Sequence, residues 1–411
     1  MILIVKSKIQ RPNSKIVIVG AGPSGASLAI RLAKENFKVT LIERERFPRP
    51  KLCGEFISPE CLKHFRELDV LSGMLAAGGE RIAETVFYAP NGKSVGVPSK
   101  WFNKNEAGAL SLSRAEMDFQ LMEKAKAIGV EVLEEHSVIG LLNEKDEIGG
   151  VKLRTKDDEA KEILADLMID ATGRAGVLRK LTDKKIQHQF TETQSVKIPN
   201  PKSQIPNRLV GFKAHLKNTN LKKGVCEIYF FQGGYGGLSR VENNLANFCF
   251  LIRADVVRKF SSDAQQIIEK VIFQNSRAAE TLKNIKPVHD WLAVSVEGFG
   301  RKNLNPARNI FAVGDSGAFI DPFTGSGMLM AFESAEILAK AITENSSTER
   351  IAEQYKTEHA RKFQKRLFIC SLLRRAAFAP KLAEMLIPAL SVGNLPRKIL
   401  ARATRWREVK S

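Results

Sequence analysis

The sequence predicts a mixed α/β fold: a doubly wound parallel sheet built from segments distant in the chain, interleaved with an antiparallel sheet and closed by C-terminal helices. Three observations predict it. The β-branched run Lys15-Ile16-Val17-Ile18-Val19 enters a glycine turn, Gly20-Ala21-Gly22-Pro23-Ser24-Gly25, that opens an apolar-spaced helix. Far downstream, Asn309–Val313 reads as another strand and delivers Gly314-Asp315 and a second glycine-rich helix start at Gly325-Ser326-Gly327. Between them, from Arg208 to Arg253, apolar residues recur with period two, as antiparallel strands require. The expected divisions are 15–185 and 296–345 for the two parts of the parallel-sheet domain, 186–295 for the antiparallel substrate domain, and 346–411 for a basic helical region.

The first segment continues from its helix into the strand Lys38–Ile42 and ends at Glu43. Each residue type has a physical reason. Gly20 permits the tight turn, Gly22 lets backbone approach a pyrophosphate, and Gly25 lets helix pack close on strand. Unpaired N–H groups and the positive end of the helix dipole stabilise phosphate at the helix start, and Glu43 can accept hydrogen bonds from ribose hydroxyls. The pattern is that of a Rossmann-like dinucleotide site.

Composition bounds the class. With 44% hydrophobic and 27% charged residues among 411, the chain is neither disordered nor membrane-embedded throughout. Its five cysteines show no metal-ligand spacing, and an odd number argues against a disulfide framework, so a reducing compartment and no metal are expected. Met1–Val5 turns polar at once, which suggests an unprocessed cytoplasmic protein. No uncharged apolar run approaches the roughly 18–20 residues of a spanning helix. The net charge is +19, and Tyr355 to Ser411 holds 14 Lys/Arg against 3 Glu, a local excess of +11. Basic residues there interleave with Phe363, Phe368, Leu372, Leu386, Leu400 and Trp406, so contact with an anionic membrane surface is expected. No nucleic-acid-binding motif accompanies the charge, and nucleic acid is not an expected partner. Pro380, Pro388 and Pro396 are expected to break the region into short helices.

The downstream segment, Gly314-Asp315 followed by Asp321-Pro322-Phe323-Thr324-Gly325-Ser326-Gly327-Met328, resembles the FAD-dependent superfamily of geranylgeranyl reductases, aromatic-ring hydroxylases and flavin-dependent halogenases. Two further segments share the likeness: Arg114-Ala115-Glu116-Met117-Asp118, and the strand end Asp170-Ala171-Thr172-Gly173. The resemblance implies non-covalent FAD. Asp315 would then bond the ribityl chain, Arg114 would approach the phosphates or ribose, and the N–H groups of Gly325–Met328 would face the flavin ring. Ser24, Arg44, Val138, Asp170, Gly173 and Gly314 complete the expected cofactor contacts.

Pro48-Arg49-Pro50-Lys51-Leu52-Cys53-Gly54 resembles the geranylgeranyl reductase branch most closely. Cys53, Gly54, Pro322 and Gly325 are therefore the candidates beside the ring, with no acid or base assigned. Gly237 and Leu238-Ser239 stand where those reductases carry bulky residues, which implies a different substrate cavity, and the halogenase Trp-x-Trp-x-Ile-Pro motif is absent. His215 reads as a packed or edge histidine. The expectation is an NAD(P)H-driven flavoenzyme acting on a lipophilic unsaturated or aromatic small molecule, leaning to double-bond reduction. A monooxygenase is the alternative, and a flavin electron carrier to a quinone or redox partner is the reading of another class.

Overall fold

Five parallel strands order the molecule, running across the sheet as Ile310–Ala312, Leu167–Asp170, Lys15–Val19, Lys38–Ile42 and Glu131–Leu133. From Lys15–Val19 the chain steps outward in one direction, then returns to build the other side. The topological switch therefore falls at the carboxyl end of that central strand, where such sheets bind ligands. The computed structural model describes residues 14–144, 147–191, 208–391 and 393–405, so Trp406 and the N-terminal arm lie outside the described residues.

Ile16 to Val19 are buried on both faces, which is why their run is apolar and β-branched rather than alternating. Helices Pro23–Lys34 and Gly327–Glu344 pack on one face, in a core that also holds Leu28, Leu32, Phe332 and Leu338. The other face, Val17, Val19, Met168 and Ile310, is covered by an antiparallel sheet of His136–Glu144, Glu147–Thr155 and Ala160–Leu164, joined by Leu178 of the helix Val177–Thr191.

The antiparallel sheet draws on more of the chain than residues 186–295. Its centre is Leu209–Lys217, Ala246–Arg253, Gly234–Arg240 and Val225–Phe231, and the hairpin Glu84–Tyr88/Ser94–Pro98 joins Val225–Phe231 through a parallel pairing. Phe212, Ala214 and Leu216 on one face pack with Phe248, Phe250 and the helix Ala264–Lys270. Side chains alternate along a strand. Lys213 and His215 therefore share the opposite face with their register partners Cys249 and Asn247.

At the C-terminus the expected break falls at Pro380, but Pro388 and Pro396 lie within helices. Thr348–Ala377 is one helix of 30 residues, Pro380–Ser391 accommodates Pro388 internally, and Asn394–Ala403 follows. Pro380 itself starts a helix, a position where its missing N–H costs nothing. Packing of Ala383 and Ile387 against Phe230, Tyr235 and Leu251 holds the helix around Pro388 in place. Among the described residues no helix is long and apolar enough to cross a membrane.

Gly25 sets the spacing of the first layer, since a Cβ there would lie 1.9 Å from the Gly20 carbonyl oxygen. Gly25→Ala is expected to lower the unfolding free energy by about 1–3 kcal/mol, the usual cost of overpacking, measured by urea titration.

Candidate active site

The glycine turn, Glu43, the Asp170–Gly173 corner and the Gly314–Asp315 corner all follow carboxyl ends of the parallel strands. Gly22 caps its helix without a side-chain hydrogen bond, and a Cβ on it would meet only the Arg114 guanidinium, at 3.7 Å. Open space and uncapped N–H groups thus lie outside the turn. The same holds at Gly327: Ser326 makes no side-chain cap, and a Cβ there would meet only Ile320, at 3.8 Å. Gly314 brings the two helix starts together, with a φ of +58° and a would-be Cβ 2.6 Å from the Ser24 hydroxyl. Its N–H donates to Ser334 Oγ at 3.0 Å.

Glu43 is buried and already serves the turn, accepting from the Ala21 N–H at 3.0 Å and from Arg49 at 3.1 Å. Arg49 also reaches Asp118 at 3.3 Å, and Asp118 takes the Nε and a terminal nitrogen of Arg114 at 2.8 and 2.6 Å. Burial alone would lower the Arg114 pKa, but the Asp118 carboxylate outweighs it and holds the cation. Arg114 therefore stands beside Gly22 in a fixed, charged state. Arg44 is exposed, pairs with Glu45 at 3.3 Å, and lines the rim of a cleft of about 430 Å³ with Arg46, Arg154 and Lys156. Val138 packs against the cluster of Val17, Ile42 and Met168, behind the sheet.

Asp170 spends its carboxylate on the protein. It accepts from Thr172 Oγ1 at 2.6 Å, Ser316 Oγ at 3.0 Å and the Arg179 N–H at 3.2 Å, which binds the Gly173 corner to the Gly314–Ser316 turn. Gly173, at a φ of +67°, leaves the space before it open. Asp315 is the contrasting acid: among the described residues its side chain makes no hydrogen bond. Burial pushes its carboxyl above the ordinary value, while the charges of Arg174 and Lys302 pull it back. An acceptor without a partner, between two cations, suits a ribityl hydroxyl.

On the ring side, Cys53 and Gly54 are partly exposed, and a Cβ on Gly54 would meet nothing within 4 Å. Glu55, next in the chain, is fully buried in a left-handed conformation with a φ of +55°. Its carboxylate accepts from the Arg114 N–H at 2.8 Å, from the Lys213 ammonium, and lies 2.7 Å from His215 Nε2. Lys213 also donates to the Lys51 carbonyl at 3.1 Å, and Asn247 to the Cys53 carbonyl at 3.1 Å. The loop carrying Cys53 is thereby fastened to the antiparallel sheet. Burial raises the Glu55 carboxyl, but the His215 hydrogen bond and the Lys213 charge prevail and hold it below the usual carboxylate range.

Opposite, Asp321 caps the turn Pro322–Thr324 through the Phe323 N–H at 2.9 Å and accepts from the Tyr235 hydroxyl at 2.6 Å. Burial pushes the Asp321 carboxyl up. Gly325 needs its left-handed φ of +59°, and a Cβ there would press on Phe56 at 3.1 Å. Pro322 is exposed, and Met328 sits half-buried in the first turn of the helix. Sequence reasoning missed Arg49, Lys213, Asn247, Tyr235 and Asp321 as parts of this site. Two polar residues at alternate positions of one strand, Lys213 and His215, were the available signal. Elsewhere, His64, Glu67 and Glu336 lie close enough to share an ion. The Arg31 guanidinium already bonds two of them, 3.1 Å from His64 Nδ1 and 2.9 Å from Glu67.

Because Gly22 has room in the protein, Gly22→Val is expected to fold but to purify without FAD, read from the flavin absorbance of a protein with unchanged urea midpoint. Asp315→Ala is expected to weaken FAD binding about ten- to a hundredfold, the loss of one charge-assisted hydrogen bond, measured by flavin fluorescence quenching. The depressed Glu55 carboxyl contributes stability above its ordinary pKa of 4.5, and this is lost as pH falls through its folded value. Glu55→Gln is expected to flatten that acid limb of the urea midpoint. It should also cost about 3–5 kcal/mol at neutral pH, since Lys213 is left buried without its counter-ion.

Comparison with known proteins agrees with this geometry. The chain is 25% identical over 359 residues to a digeranylgeranylglycerophospholipid reductase of Methanopyrus kandleri, covering 85% of this chain and 83% of that protein. It is 22% identical over 340 residues to conditioned medium factor receptor 1 of Dictyostelium discoideum, covering 80% of this chain but only 62% of that protein's length. The solved structure of a flavin-dependent brominase shares the fold, with a TM-score of 0.74 at 16% identity, over 95% of this chain and 93% of that one. With residues 13–367 matching its FAD binding domain, the chain belongs to the FAD binding domain family and is a FAD-dependent oxidoreductase.

Proposed function

We propose that this enzyme uses NAD(P)H to reduce a double bond of a lipophilic unsaturated small molecule. The observation that carries this is the fastening of the Lys51–Gly54 loop, whose sequence resembles that of the geranylgeranyl reductase branch, to the antiparallel sheet by Glu55, Lys213 and Asn247. The similarity to a reductase over 85% of the chain supports it. FAD would be held at Gly20–Gly25, Asp315 and the Gly325–Met328 helix start, and when bound it supplies hydride chemistry.

The chain's own residues do the rest. The uncapped N–H groups of the helix Gly327–Glu344 place positive potential where a reduced ring would carry negative charge. Phe87, Phe230, Phe323 and Tyr235 pack as one aromatic cluster on the substrate side, and such a wall favours apolar ligands and excludes water. His215 is the one partly exposed member of the Glu55 cluster, so it alone is in a position to exchange a proton with a ligand on that face.

Oxygen dependence tests the reading. Under argon, with NADPH or NADH and a prenyl lipid, a reductase is expected to turn over stoichiometrically and to saturate one double bond per nicotinamide oxidised, followed by mass spectrometry. Turnover that requires air and adds 16 mass units, the mass of one oxygen atom, would assign a monooxygenase instead. Brisk reduction of artificial quinones without change in any lipid would assign an electron carrier.

A further inference from the structure

Single exposed apolar side chains need no explanation, but a concentration of them does. Among the described residues, eight of the twelve exposed large hydrophobics lie from Phe368 to Leu400. Phe368 and Leu372 are 64% and 48% exposed, one turn apart on the helix Thr348–Ala377, with exposed Arg361 and Lys365 preceding them on the same face. On Pro380–Ser391, Met385 is 72% exposed beside Leu382 and Leu386, while Ala383 and Ile387 face inward. Leu395 and Ile399 repeat the pattern on Asn394–Ala403, with Arg402 exposed one turn on. Each of three consecutive helices thus carries apolar residues on both its inner and its outer side, the outer ones set among cations.

The geometry points to a docking face for the surface of an anionic phospholipid bilayer, made by the outer sides of these three helices. Charge selects this occupant. Among the described residues from Tyr355 onward, Lys356, Arg361, Lys365, Lys381 and Arg402 are exposed and no acid is, so a second copy would bring like charge against like. Single-stranded nucleic acid is served by aromatic stacking platforms, whereas seven of these eight residues are Leu, Met or Ile. Basic side chains beside aliphatic ones match anionic headgroups over acyl chains. The inference stands on the surface alone and holds whether or not the reductase reading does.

The test uses the full chain loaded with FAD and extruded vesicles of phosphatidylglycerol mixed with phosphatidylcholine, beside vesicles of phosphatidylcholine alone. Co-sedimentation is expected to be at least about tenfold stronger with the anionic vesicles and to fall as salt is raised. The combined substitutions Phe368→Ser, Met385→Ser and Ile399→Ser are expected to reduce binding about tenfold or more with FAD content unchanged. Leu164→Ser, at an exposed site on a distant strand, is expected to leave binding as it was. Absence of binding, equal binding to neutral vesicles without salt dependence, or binding indifferent to the triple substitution would overturn the proposal. So would a stable dimer in gel filtration that the same three substitutions dissociate, since a second copy would then own the face.

Discussion

The carboxylate of Glu55 sits at the seam between the two sheets, and the relation of cofactor to substrate depends on it. Its three donors come from two places: the Arg114 N–H at the start of a helix packed beside the parallel sheet, and Lys213 and His215 on one strand of the antiparallel sheet. A buried carboxylate tolerates no loose partner, because an unpaired charge in that environment costs several kcal/mol. Each sheet is therefore held to one position with respect to the loop between them. The left-handed backbone of Glu55 is a further sign that the arrangement is imposed by its surroundings, since a non-glycine residue takes that conformation only when the structure around it demands it.

From this seam the acids of the site divide by task. Glu43, Asp118 and Asp170 are consumed in holding turns and guanidinium groups, Asp321 caps the turn Pro322–Thr324, and among these acids Asp315 alone has a side chain without a hydrogen bond to the described residues. The division follows from satisfaction of hydrogen bonds. A fully bonded acid positions its neighbours, whereas one left with lone pairs in a cationic recess is a receptor.

The sequence makes the cofactor half legible because its signals are local. Gly20, Gly22 and Gly25 are informative within six residues, and the same holds from Gly314 to Gly327. The structure gives each glycine a distinct reason: close packing at Gly25, open space at Gly22, and a left-handed turn at Gly314 and Gly325. The seam is not local. Glu55 is separated from Lys213 and His215 by 158 and 160 residues, and nothing in the strand's alternation names a partner. Lys213 is buried on its strand, and a lysine in an alternating run carries no sign of that burial. The hairpin Glu84–Pro98 was hidden for the same reason, since joining the antiparallel sheet depends on pairing with Val225–Phe231.

The order of strands in the parallel sheet also bears on how the chain matures as it is synthesised. Lys15–Val19 is made early, but its neighbour Leu167–Asp170 and the last strand, Ile310–Ala312, come much later, and the helix Gly327–Glu344 later still. Until that helix leaves the ribosome, the first glycine turn has no opposing half, and Pro23–Lys34 is covered only in part, by the helix Arg114–Ala127. Residues 209–296 supply most of the antiparallel sheet and can pair among themselves while the rest is still being made. Synthesis therefore completes most of the antiparallel half before the parallel half, although Lys15–Val19 has both of its neighbouring strands once Leu167–Asp170 is made.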